Sequence, residues 1–62
     1  MFKIGDLVTR KSYENDTVFC IIDFRANGDG RCVAILKAIY NQTFIVDAPI
    51  NDLENLLPKG NL

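Results

Sequence analysis

Short apolar runs alternate with polar, glycine-bearing breaks along this chain, and the runs have the length and composition of strands. The first is Phe2-Lys3-Ile4-Gly5-Asp6-Leu7-Val8-Thr9-Arg10, with Ile4 and Val8 on one parity and Leu7 on the other. Gly5 has backbone angles open to it that other residues avoid, so a sharp bend into the strand is predicted there. Residues 11–16, Lys-Ser-Tyr-Glu-Asn-Asp, make a polar connection. Its one aromatic, Tyr13, is expected to pack back over the end of a barrel.

Residues 17–24, Thr-Val-Phe-Cys-Ile-Ile-Asp-Phe, give the clearest strand, since β-branched and aromatic side chains suit a pleated surface. Both of its parities are apolar: Val18, Cys20, Ile22 and Phe24 on one, Phe19 and Ile21 on the other. A flat sheet with one wet face would alternate, so the pattern predicts a strongly bent strand that buries parts of both faces. Asn27-Gly28-Asp29-Gly30 is a hairpin turn, because Asn-Gly and Asp-Gly supply positive backbone angles. Residues 31–39 come next as a third strand; Ala-Ile-Leu-Lys-Ala would also suit a helix, but the preceding hairpin turn and the short run favour a strand. Tyr40-Asn41-Gln42 is a second turn and residues 43–47 a fourth strand.

Pro49 donates no ladder hydrogen bond and is expected to end the sheet. Asn51 with Glu54 three residues on has the form of a helix start. Ile50, Leu53 and Leu57 would share one helical face, and Pro58 and Gly60 would stop the element after one or two turns. The expected fold class is mainly β: a small SH3-like barrel of four to five strands with a short C-terminal helical turn, an OB-fold normally needing a longer chain. Residues 1–57 form the barrel in this reading, and residues 58–62 a tail or a linker towards a further region.

Composition fits one small domain. The chain has 62 residues, 48% hydrophobic and 24% charged, and a chain of this size buries only about 60% of its unfolded surface, so nearly every apolar residue must contribute. The net charge of −1 and pI near 5.0 argue against a nucleic-acid-binding or membrane-surface domain, which is usually basic. No apolar run has the roughly 18 residues that a membrane span requires. Asp6 and Arg10 interrupt what would have to be the apolar part of a signal peptide. Two cysteines, Cys20 and Cys32, are fewer than a disulfide-dependent secreted domain carries and suit a reducing compartment.

The candidate chemistry is sparse. With no histidine in the sequence, Ser-His and Cys-His pairs and most zinc sites are excluded. Asp23, Asn27 and Gly28 imitate the opening of a calcium loop, but Arg25 stands where a ligand belongs and Ala34 where a bidentate glutamate is required. In a hairpin centred near Gly28, Cys20 would face residues 35 or 36 and Cys32 residues 23 or 24, too offset for a disulfide. No pair of carboxylates has a spacing that argues for acid–base catalysis, and no phosphate-binding glycine loop is present. Catalytic, cofactor and metal residues are therefore assigned as none. Arg10, Lys11 and Tyr13 form the one basic and aromatic cluster and are the candidate partner-binding loop, although Glu14 and Asp16 offset its charge.

The run Lys3-Ile4-Gly5-Asp6-Leu7-Val8-Thr9-Arg10-Lys11-Ser12-Tyr13, then Asp16, Phe19, Ile21-Ile22, Ala34-Ile35-Leu36-Lys37, Val46-Asp47-Ala48 and Asp52-Leu53, resembles the N-terminal segment of the YabG family. The Gly-Asp-x-Val-x-Arg-Lys-Ser-Tyr run is its most distinctive part. The resemblance implies a sporulation-specific protease of endospore-forming bacteria acting on spore-coat and related proteins. It also implies that the protease region lies beyond Leu62, so no catalytic residue transfers to this chain. This segment would then be a non-catalytic module that contacts a protein or peptide partner, spore coat or protease substrate, in the cytoplasm of the mother cell or at the forming coat. The alternative is a stand-alone SH3-like domain associated with nucleic acid. No cofactor is implied.

Overall fold

A computed structural model describes residues 1–56 of the chain. Five strands form one antiparallel sheet: β1 (Leu7–Arg10), β2 (Phe19–Ala26), β3 (Cys32–Ala38), β4 (Ile45–Pro49) and β5 (Leu53–Asn55). Their spatial order is β4-β3-β2-β1-β5. The first four strands succeed one another as a meander, and the fifth returns to the free side of β1. The expected small, mainly β fold is therefore what forms. The hydrogen-bonded ladder does not close on itself; β4 and β5 are its edges.

A single flat sheet could not bury side chains completely on its own. Yet Val8, Phe19, Ile21, Leu36, Ala38 and Ala48 are wholly buried, and Leu53 nearly so. These residues come from all five strands and form one cluster, with Phe2, Phe24, Phe44, Val46 and Ile50 packed against it. The sheet must therefore curl around its inner face, which becomes the core.

The doubly apolar pattern of β2 has a specific cause. The β2–β3 register pairs Ile21 with Leu36 and then Asp23 with Ile35, so Ile22 is an extra residue. Such a bulge bends the strand and reverses the parity of the residues beyond it. Phe19 and Ile21 point inward before it, and Phe24, paired with Ala34, does so after it. Ile22 is left exposed. The strand does bend, but one face is buried throughout, with a parity switch, in place of the expected partial burial of both.

Gly5 adopts φ +96° at the bend into β1, as its position before the strand predicts. In the β2–β3 turn the positive angle falls on Gly30, at φ +86°, and not on Gly28. The turn is closed by the Asn27 amide donating to the Arg31 carbonyl. Its centre therefore lies beyond Gly28, and this shift, with the bulge, resets the cysteines: Cys20 faces Lys37 and Cys32 faces Ala26. Both thiols are free, as their offset predicts.

The short C-terminal helical turn is present, but it is a 3-10 turn and ends before Leu53 instead of running on to Leu57. Ile50–Asp52 is a single 3-10 turn, capped by Pro49 without any side-chain hydrogen bond, and Leu53 already begins β5. A helix of one or two turns is marginal by itself, whereas β5 pairs with the open edge of β1 and sinks Leu53 into the core. Pro49 sits inside β4 as its last residue, which an edge strand tolerates. Leu57 and the predicted tail, residues 58–62, lie outside the described residues.

Candidate functional site

The segment after β1 is held far more firmly than its polar sequence suggests. Lys11–Tyr13 form a 3-10 turn closed by the Glu14 amide donating to the Lys11 carbonyl. Glu14 and Asn15 then take left-handed angles, φ 55° and 57°. Asparagine tolerates that region, and for glutamate it is uncommon. The Asn15 amide donates back to the Arg10 carbonyl at 2.9 Å, and the Thr9 hydroxyl donates to Asn15 Oδ1 at 2.7 Å. The one buried polar side chain of the described residues, Thr9, is thus satisfied by the loop that covers it.

Asp52, in the second 3-10 turn, fastens the loop across 42 and 40 residues of sequence. Its carboxylate accepts from Arg10 Nε at 2.9 Å, from the Ser12 amide at 2.8 Å and from the Ser12 hydroxyl at 2.6 Å. Bonds to an ionised acceptor are stronger than neutral ones. The Ser12 hydroxyl is the main reason that the Asp52 carboxyl titrates below its usual range; partial burial opposes this, and Arg10 and the Ser12 amide add to the lowering.

The same clamp orients the aromatic. The Arg10 guanidinium carbon lies 4.5 Å from the centre of the Tyr13 ring, a cation–π distance. The Tyr13 ring in turn tilts against Phe19 at 6.1 Å, so it does pack back over the core as expected. The three candidate residues are brought together but present different surfaces. Arg10 is 13% exposed and committed to Asp52. Tyr13 is 38% exposed, and Lys11 is exposed. Asp52 was invisible as a partner of this loop: as part of an Asn-Asp-Leu-Glu run it looked like helix-start chemistry. An acid anchored to a residue 40 positions away leaves no local signal.

A concavity of about 580 Å³ opens between the β2–β3 turn and the second 3-10 turn, the element that also carries Asp52. Cys32, Val33, Pro49 and Ile50 line it, with Asn27, Asp29, Arg31 and Asn51 around them. Arg31 and Asp29 approach at only 3.6 Å and both are widely exposed. Among the described residues, no group of three or more His, Cys, Asp or Glu side chains could hold a metal. Among them also, no helix is long and apolar enough to cross a membrane.

The comparison with protein families places these features. The family model described as YabG peptidase U57 matches residues 3–60, which includes the bend, the clamp and all five strands. The chain belongs to the YabG peptidase U57 family. The sporulation-specific protease YabG of Bacillus subtilis (strain 168) is 40% identical over 52 residues, 84% of this chain. The match covers 18% of that relative, so the chain spans about a fifth of the protease it resembles. No solved structure matches.

Proposed function

We propose that this chain is a non-catalytic, SH3-like module of a YabG-family sporulation protease that positions protein substrates of the spore coat in the cytoplasm of the mother cell or at the forming coat. The carrying observation is the clamp on the Arg10–Asp16 segment. Asp52 and Phe19 fix Arg10, Ser12 and Tyr13, leaving exposed Lys11 and the partly exposed Tyr13 ring on a pre-ordered turn. A contact surface ordered in advance loses less entropy on binding. The strand order β4-β3-β2-β1-β5, with a 3-10 turn before the last strand, supports the SH3-like reading. The sequence has no histidine and offers no nucleophile–base pair, which supports leaving the peptidase chemistry to the rest of the family's polypeptide.

The test uses the full-length protease carrying Lys11→Glu or Tyr13→Ala. Processing of protein substrates is expected to fall about tenfold, the scale of one lost interface contact of 1–2 kcal/mol, while cleavage of a short peptide stays near the parent rate. Unchanged processing by both variants would remove this loop as the contact. Thermal unfolding of each variant separates lost contact from lost fold.

A further inference from the structure

The outer face of the sheet carries a row of partly exposed side chains, apolar on either side of Lys37. The register sets Leu7 opposite Cys20, Cys20 opposite Lys37, and Lys37 opposite Ile45. The Leu56 amide donates to the Leu7 carbonyl at 3.0 Å and continues the β1–β5 ladder. Directly opposed residues project from the same face, so one row runs from β5 across to β4. The chain neighbours of this row, Val8, Phe19, Leu36 and Ala38, are wholly buried on the inner side.

The row itself is open. Leu56 is 43% exposed, Leu7 37% and Ile45 52%; Ile39, two residues beyond Lys37 and so on the same side, is 55% exposed. Single exposed apolar residues are ordinary, but four of them on one sheet face, Leu7, Ile39, Ile45 and Leu56, are the kind of surface that a partner covers. Lys37 stands half-buried in the middle of it. The ion pairs of the described residues are Arg10–Asp52 and Arg31–Asp29, so Lys37 has no acid partner among them.

Three observations identify the occupant. The match covers only 18% of the relative, so most of that protease lies outside it. The described chain leaves the sheet at the β1 margin of this face, where Leu56 stands in the row. Polypeptide joined there is delivered at high effective concentration. Lys37, finally, is half-buried with no carboxylate within ion-pair distance among the described residues, so an acidic side chain brought to it would gain a partner. We propose that the outer face packs against the remaining polypeptide of the same protease, on an apolar surface that brings an acidic side chain to Lys37. This rests on the reading of the chain as one module of a longer protease.

The experiment measures thiol alkylation, position by position, for Ile45→Cys in this 62-residue chain and in the full-length protease carrying the same region. The thiol introduced at position 45 is expected to react about tenfold more slowly in the full-length protein, as at the dry core of an interface. Cys32, exposed at the β2–β3 hairpin, serves as the reference and should change little. Lys37→Glu in the full-length protein is expected to restore fast labelling at position 45. Equal rates at position 45 in the two proteins would overturn the proposal. So would protection that grows with concentration in the 62-residue chain alone, which would give the face to a second copy. Because labelling reads packing and not processing, its failure leaves the Lys11–Tyr13 assignment standing, and failure of the loop variants leaves this face untouched.

Discussion

Among the described residues there are two arginine–aspartate pairs, one joining the loop after β1 to the second 3-10 turn and one within the β2–β3 turn, and they differ in how much structure each one holds. Arg10 and Asp52 are 42 residues apart in sequence, 2.9 Å apart in space and about 15% exposed or less. Arg31 and Asp29 are two residues apart in sequence, 3.6 Å apart in space and more than half exposed. The first pair joins two distant loops and shares its carboxylate with two further donors from Ser12. The second sits on one turn, where water screens it and the chain already holds its members close. An exposed pair of that kind contributes between nothing and about 1 kcal/mol. The difference lies in what each pair connects and not in the residue types.

The comparison breaks first where the clamp rests on the core. Phe19→Ala removes the ring beneath Tyr13 and a wholly buried side chain. It should cost about 3–5 kcal/mol, enough to leave a domain of this size largely unfolded in a urea titration at 25 °C. Arg10→Ala is next. It should cost about 2 kcal/mol for a charge-assisted, partly buried hydrogen bond and its lost packing on Tyr13, read as a Tm lower by roughly 8–16 °C. If Arg10→Ala costs no more than Arg31→Ala, the contrast between the pairs disappears.

Acid should discriminate the two pairs as well. Asp52 titrates lower in the folded chain than in the unfolded one, so its stabilisation is complete above the unfolded value, near 4, and fades as pH falls through the folded value. The stability gap between the parent and Asp52→Asn should therefore be widest at neutral pH and narrow below about pH 4. A gap that stays constant from pH 7 to pH 3 would mean that the carboxylate charge is irrelevant to the clamp. The smallest effect belongs to the β2–β3 hairpin: Asp29→Ala or Arg31→Ala should shift stability by less than about 0.5 kcal/mol in denaturant melts.

The strands were legible because each is a short β-rich run between turn residues, and Gly5 announced its own bend. Two features were not. The bulge at Ile22 is hidden because a parity switch inside Phe19-Cys20-Ile21-Ile22-Asp23-Phe24 looks the same as burial on both faces. The run Asn51-Asp52-Leu53-Glu54 carries helix-start chemistry, but tertiary pairing with β1 outweighs a preference that can support only a turn or two. The candidate loop was found from composition, as a basic and aromatic cluster. What holds it was not, since the partner lies 40 residues away and acts through geometry. Arg10 was one of the two positive charges of the cluster, and it proves to be the one whose charge is already engaged.

The most direct test is a pair of double-mutant cycles, Arg10→Ala with Asp52→Ala and Arg31→Ala with Asp29→Ala, each read by equilibrium unfolding at pH 7. The clamp predicts that the Arg10–Asp52 double variant loses clearly less stability than the two single losses added together, because each single change already breaks the shared bond. It predicts simple additivity for Arg31 and Asp29. Additivity in both cycles would contradict the account, leaving Arg10 and Asp52 as neighbours with no energetic hold on the loop.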